Sequence, residues 1–85
     1  MVSVDIEYCA PCGLAGTAVT TRRVLADRLR GYDEIESVRV EPTHEMVFGV
    51  SIRSDRIWTV DPTDRVDPME AVAAVRTWLR SGSVP

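Results

Sequence analysis

The sequence has few of the features that mark nucleic-acid-binding or membrane proteins. Lysine is absent, so arginine supplies all ten basic residues, and 13 acidic residues outnumber them to give a net charge of −3. No basic patch with interleaved aromatic residues is present, which argues against a nucleic-acid surface. No apolar run approaches the ~20 residues of a transmembrane helix. We therefore expect neither a nucleic acid nor a membrane as a partner.

The N-terminal sequence MVSVDIEY also lacks the basic segment and apolar core of a secretory signal. We therefore expect a cytoplasmic protein, whose thiols meet a reducing environment. A length of 85 residues supports a single domain, 1–85, with one modest core. The content of 45% hydrophobic and 27% charged residues is typical of a folded protein. We expect this domain to be a monomer.

The first half of the chain predicts a strand, a helix and a second strand. Apolar and polar residues alternate over 2–8, which indicates a strand with one buried and one solvated face. Apolar residues at helical spacing follow from Leu14, and Gly31 is the expected C-cap of this helix. Residues 35–40 alternate again, and Pro42 is expected to close that strand.

The second half predicts a hairpin and a final helix. Segments 46–52 and 56–60 are rich in β-branched and aromatic residues and are separated by RSD, which is hairpin spacing. The last helix has the best-marked start, with a capping residue, a proline at the first helical position and an acid in the first turn: Asp67, Pro68 and Glu70.

The predicted order β-α-β-β-β-α indicates an α/β protein of the α+β sandwich type. The polar alternate face of the first strand places both helices on the same side of a four-stranded mixed sheet, with the other side open to water. The β-α-β start requires a parallel, right-handed crossover. Cys9 and Cys12 therefore lie in the first strand-to-helix loop, at one edge of the sheet.

The cysteine pair has three interpretations: a redox couple, part of a metal site, or inert thiols. A helix N-terminus favours the thiolate, and two intervening residues let the sulfurs bond in a tight turn shaped by Pro11 and Gly13. A closed zinc site needs four ligands, and His44 is the only histidine. A Cys-x-x-Cys beside a β-α-β pattern favours the redox interpretation, with no metal and no cofactor.

The motif VDIEYCAPCG, followed by VEP, MVFGVSI, IW and AVRTWL, resembles the thioredoxin-like superfamily and, within it, the selenoprotein W-related (Rdx) family. The resemblance implies a thioredoxin-like fold and a small thiol-disulfide oxidoreductase that uses Cys9 and Cys12. Its partner is then a protein or a low-molecular-weight thiol or disulfide. Substrate-binding positions are expected at Tyr8, Pro11 and Pro42. The alternative is a non-catalytic interaction module of the same fold with stress-responsive thiols.

The resemblance gives two answers on the roles of the cysteines. Cys12 occupies the position that selenocysteine fills in some family members, which makes it the stronger nucleophile. Thioredoxin logic instead makes Cys9 attack. We favour Cys9 here, because the end of the strand is expected to face solvent while Cys12 is drawn toward the chain. The turn before the third strand, where family members usually carry glycines, reads Thr43, His44 and Glu45.

Overall fold

The computed structural model describes residues 1–81, which form four strands and two helices. The elements are β1 (Val2–Cys9), α1 (Ala15–Arg28), β2 (Ile35–Thr43), β3 (Phe48–Ile52), β4 (Asp55–Val60) and α2 (Pro68–Arg80). The strands form one sheet in the order β2-β1-β3-β4, with β1 parallel to β2 and antiparallel to β3. The predicted element order and mixed sheet are confirmed. No helix within residues 1–81 is long and apolar enough to cross a membrane.

One face of the sheet carries the apolar core and both helices. Ile6 of β1 lies opposite Val40 on β2 and Val50 on β3, so apolar side chains of neighbouring strands share this face. The helices bring small and branched residues onto it. The buried cluster contains Val2, Val4, Ile6, Ala18, Leu25, Leu29, Phe48, Val50, Ile52, Ala71, Val72 and Val75. The expectation that both helices cover one face is therefore confirmed.

The other face of the sheet is polar and is held by pairs between strands. Asp5 accepts a hydrogen bond of 2.9 Å from Arg39 Nε, which raises the pKa of that guanidinium. Further along β1, Glu7 accepts a hydrogen bond from Ser51 and forms an ion pair with Arg56 at 3.1 Å. The two ion pairs, Arg39–Asp5 and Arg56–Glu7, are partly exposed, and ion pairs near the surface contribute little to stability. Both helices pack against the apolar cluster on the opposite face.

The β3–β4 hairpin turns through two residues with positive φ, Arg53 (54°) and Ser54 (67°). This matches the twist that short hairpin turns need. Strand β3 begins at Phe48, two residues later than predicted, and β4 begins at Asp55, one residue earlier than predicted. Within the hairpin, position 49 requires glycine, because the backbone of β4 lies too close for a side chain. A Cβ at this position would lie 2.8 Å from the backbone carbonyl oxygen of Trp58.

Two expected boundaries are wrong. Helix α1 ends at Arg28 with Leu29 as its C-cap, and Gly31 does not adopt a positive φ. Leu29 is buried, so packing into the core ends the helix before the glycine. Strand β2 also continues through Pro42 to Thr43. An edge strand tolerates proline, because half of its N–H groups face away from the neighbouring strand.

The start of α2 is confirmed, and it supports a prediction on stability. Asp67 is the N-cap, its side chain accepts a 3.0 Å hydrogen bond from the backbone N–H of Met69, and Pro68 follows at the first helical position. We expect Asp67→Ala to lower the free energy of unfolding by about 1 kcal/mol, because one orphan N–H group loses its acceptor. Urea unfolding followed by circular dichroism measures the change.

Asp67→Asn is the matched control, because asparagine caps helices about as well as aspartate. It should unfold at nearly the same urea concentration as the native chain. If both substitutions destabilise the protein equally, the carboxylate charge rather than the cap is what matters.

Candidate functional site

The two cysteines are joined as a disulfide across the turn that links β1 to α1. Cys9 is the last residue of β1 and Cys12 lies in the turn, with their Cα atoms 5.3 Å apart. The turn is closed by hydrogen bonds from the N–H of Cys12 to the carbonyl of Cys9 and from the N–H of Gly13 to that of Ala10, each 3.3 Å. Gly13 has a φ of 76°, a conformation that glycine adopts without strain.

The motif is tied to the end of β2. Cys9 lies opposite Thr43 in the parallel β1–β2 pairing, and the N–H of Ala10 donates a 2.9 Å hydrogen bond to the carbonyl of Thr43. Because parallel strands end at the same edge of a sheet, the turn after β2 lies beside the motif. This topology brings the β2–β3 turn, residues 44–47, to the sulfur atoms.

The two cysteines differ in exposure, in the opposite sense to the one expected. Cys9 is fully buried, at 0% exposure, whereas Cys12 is exposed. The expectation that Cys9 faces solvent is therefore wrong. Alternation along β1 does place Cys9 on the polar side of the sheet, with Asp5 and Glu7. At this end of the strand, however, Cys9 Sγ is bonded to Cys12 of the motif turn and lies 3.9 Å from Met46 Sδ of the turn after β2.

Met46 makes the contact between the second turn and the motif. Its Sδ atom lies 3.9 Å from Cys9 Sγ and 3.6 Å from Cys12 Sγ, while its side chain is 70% exposed. Disulfide sulfurs carry no hydrogen, so these are sulfur–sulfur contacts rather than hydrogen bonds. The similar distances place Met46 beside the disulfide and not beyond either end of it. Met46 therefore does not block a thiolate that approaches Cys12 Sγ along the axis of the disulfide bond.

The turn that carries Met46 is ordered by its neighbours. The N–H of Glu45 donates to Thr43 Oγ1 at 3.2 Å, and the N–H of Val47 donates to the carbonyl of Glu45 at 2.8 Å. The Glu45 carboxylate also lies 3.7 Å from a guanidinium nitrogen of Arg56 on β4. These contacts position the Met46 backbone close to the motif.

The N-terminus of α1 supplies the positive electrostatic field at the motif. The helix begins at Ala15, its N-cap Leu14 has no side chain that can accept a hydrogen bond, and its first turn contains no acidic residue. The first N–H groups are therefore not satisfied by a side-chain cap and carry the positive end of the helix dipole. A thiolate in the preceding turn is stabilised by this field.

The three other predicted site residues occupy different places. Pro11 is exposed between the two cysteines. Tyr8 is half-buried against the core and lies between Pro42 on β2 and Phe48 on β3. Pro42 is exposed, and no peptide bond within residues 1–81 is cis. Substrate binding by these residues stays a prediction.

The remaining polar candidates belong to loops. His44 is exposed in the β2–β3 turn. Asp61 accepts hydrogen bonds from the N–H (2.8 Å) and the hydroxyl (2.6 Å) of Thr63, which lower the pKa of its carboxyl. In the part of the chain that the structure describes, no group of three or more histidine, cysteine, aspartate or glutamate side chains is placed to hold a metal ion.

Met46 was not predicted as a site residue. A single methionine in a polar turn carries little signal in a sequence. The parallel β1–β2 pairing does place the turn after β2 beside the motif. In that turn, the apolar thioether of Met46 is unusual because it follows three polar residues, Thr43, His44 and Glu45. Those two observations together point to it.

An open groove adjoins the exposed side of the motif. It has a volume of about 570 Å³ and runs from the motif turn along the first part of α1 to the segment before α2. Its lining is formed mainly of small residues: Gly13, Gly16, Thr17, Thr20, Val66 and Pro68. The groove therefore offers a shallow surface next to Cys12.

Comparison with known proteins identifies relatives of this chain. The model of the Rdx family matches residues 3–76. A crystal structure of a protein from Bordetella parapertussis has a TM-score of 0.72 at 19% identity, over 89% of this chain and 95% of that one. The crystal structure of a selenoprotein W-related protein from Vibrio cholerae also has a TM-score of 0.72 at 19% identity, over 92% of this chain and 96% of that one. The two structures share the fold. No curated protein sequence matches the chain.

Proposed function

Because the chain belongs to the Rdx family, we propose that it is a small thiol-disulfide oxidoreductase that passes electrons through Cys9 and Cys12. The observation that carries the proposal is a cysteine pair joined across a tight turn, with one sulfur exposed and one buried, just before an uncapped helix. This arrangement favours a thiolate and a reversible bond. The Vibrio cholerae neighbour is named a selenoprotein W-related protein, which agrees with the proposal.

The burial of the two cysteines supports an assignment of their roles. Cys12 is the attacking cysteine, because only an exposed thiolate meets the disulfide of a partner. Cys9 is the resolving cysteine, because it is buried and already within bonding reach of Cys12. This reverses the order that the sequence favoured and agrees with the selenocysteine position of the family.

The exchange proceeds in two displacements. The Cys12 thiolate attacks one sulfur of the partner disulfide, forms a mixed disulfide and releases the partner's other sulfur as a thiolate, which takes up a proton. The Cys9 thiolate then attacks Cys12 Sγ, forms the Cys9–Cys12 bond and releases the second partner thiolate. Two electrons pass from the cysteine pair to the partner, and no cofactor takes part.

The partner is a protein or a low-molecular-weight thiol or disulfide, met in the cytoplasm by a monomeric protein. The groove beside Gly13 is the surface on which the chain flanking the partner's sulfur would rest. Pro11 lies on the same exposed turn and contributes to that surface.

The experiment that tests the function is a redox titration. The protein is equilibrated in buffers of reduced and oxidised glutathione, quenched with acid, alkylated and weighed by mass spectrometry. We expect one reversible two-electron transition between the dithiol and the disulfide. The Cys9→Ser, Cys12→Ser double variant is the control and should show no transition.

Two outcomes contradict the proposal. If two free thiols persist at every ratio of oxidised to reduced glutathione, the pair is not a redox couple. If the disulfide forms but does not accelerate electron transfer to any disulfide substrate over the double variant, the chain is an interaction module with oxidisable thiols.

A further inference from the structure

Three soft sulfur atoms meet at the motif, and only two of them are needed for thiol-disulfide exchange. Cys9 Sγ, Cys12 Sγ and Met46 Sδ come from two turns that are far apart in the sequence. We propose that the reduced protein binds one Cu(I) ion through these three atoms. The inference rests on the sulfur positions and is independent of the proposed exchange activity.

The distances suit a three-coordinate ion. Metal–sulfur bonds of about 2.3 Å place the three ligand atoms of a trigonal site about 4 Å apart. Met46 Sδ already lies 3.9 Å and 3.6 Å from the two cysteine sulfurs. Only the separation of Cys9 Sγ from Cys12 Sγ has to increase, and reduction of the disulfide releases that restraint. The Cα separation of 5.3 Å leaves room for this by rotation of the side chains.

The donor set selects copper in its reduced state. Thiolate and thioether sulfurs are soft ligands that favour Cu(I), whereas hard cations take oxygen. Zinc also binds thiolates but requires four ligands in a closed site. Among residues 1–81, no histidine, aspartate or glutamate joins the cysteines to complete such a set. The site therefore fits an ion that is stable with three sulfur ligands.

The surroundings suit the charge and the access of the ion. Two thiolates and Cu(I) form a cluster of net charge −1, which the uncapped N-terminus of α1 stabilises. The nearest acidic side chain along the turn, Glu45, is paired with Arg56. Cys12 and Met46 are exposed and provide the entry path, while buried Cys9 shields one side of the ion from water.

The test is a competition titration of the fully reduced native chain with Cu(I), in the absence of oxygen, against the chelator bicinchoninate. We expect one ion per chain. Met46→Leu keeps the size and apolar character of the side chain but removes the sulfur ligand, and we expect it to weaken Cu(I) binding by about tenfold or more. Met69→Leu, at an exposed methionine of α2, is the matched control and should bind as the native chain does.

X-ray absorption at the copper edge gives a second, independent readout. The native chain and Met69→Leu should show three sulfur neighbours, and Met46→Leu should show two. The proposal is overturned if copper in the native chain has only two sulfur neighbours. It is also overturned if Met46→Leu binds Cu(I) as tightly as the native chain while the two proteins have the same circular dichroism spectrum.

Discussion

Cys12→Ser is expected to remove nearly all thiol-disulfide exchange, whereas Cys9→Ser should hold its partner as a stable mixed disulfide. The first variant keeps only the fully buried sulfur, which a partner does not reach without local opening of the turns. The second keeps the exposed sulfur but lacks the thiolate that resolves the mixed disulfide. The two single variants therefore fail at different steps.

Alkylation by iodoacetamide as a function of pH measures this difference. At pH 7 the protein that retains Cys12 should react at least about ten times faster than the protein that retains Cys9, because exposure and the field of α1 both favour the Cys12 thiolate. Both variants should react at similar rates in concentrated urea, which is the control for intrinsic thiol reactivity. A faster reaction of Cys9 in the folded protein would assign the attacking role to Cys9.

Phe48→Ala is expected to cost about 3–5 kcal/mol of the free energy of unfolding. Phe48 is the largest fully buried side chain, and its ring meets that of Trp58 edge to face with centroids 6.2 Å apart. Its removal leaves a cavity in the core and ends an aromatic contact. Since small domains are stable by only about 5–15 kcal/mol, the loss brings this protein close to unfolding.

Urea unfolding of a graded series measures the effect. Leucine fills part of the cavity that alanine leaves, so the free energy of unfolding of Phe48→Leu should lie between those of the native chain and Phe48→Ala. Val19→Ala, at an exposed apolar position of α1, is the control and should change stability by no more than about 0.5 kcal/mol. If Phe48→Ala and Val19→Ala unfold at the same urea concentration, β3 does not carry the core.

The sequence predicted the order of the elements well because several signals were local. The alternation over 2–8 and the cap at Asp67 depend on neighbours in the chain, and both are confirmed. The end of α1 depended instead on where Leu29 is buried, which is a tertiary property. Likewise, Pro42 remains within β2 because the strand lies at the edge of the sheet, and strand pairing fixes that.

In the candidate site, the bonded cysteine pair was predictable from the sequence, but its surroundings were not. The spacing of Cys9 and Cys12 and their place after β1 were enough to indicate a bonded pair. Alternation gave the side of the sheet on which Cys9 lies, but it carries no information on which turn packs over that side. Met46 contacts Cys9 from the β2–β3 turn, although the two residues are 37 positions apart in the sequence. Alternation along β1 does not reveal a contact between residues so far apart.

The position of β1 in the sheet has a consequence for the order in which the protein is made. β1 is synthesised before the other three strands of the sheet, yet it is paired on both sides, with β2 and with β3. Non-local pairing of this kind forms late, since the intervening chain must be synthesised first. The cysteine pair is thus synthesised before the β2–β3 turn that contacts it. The nascent chain exposes both thiols, and only the finished fold makes Cys9 different from Cys12.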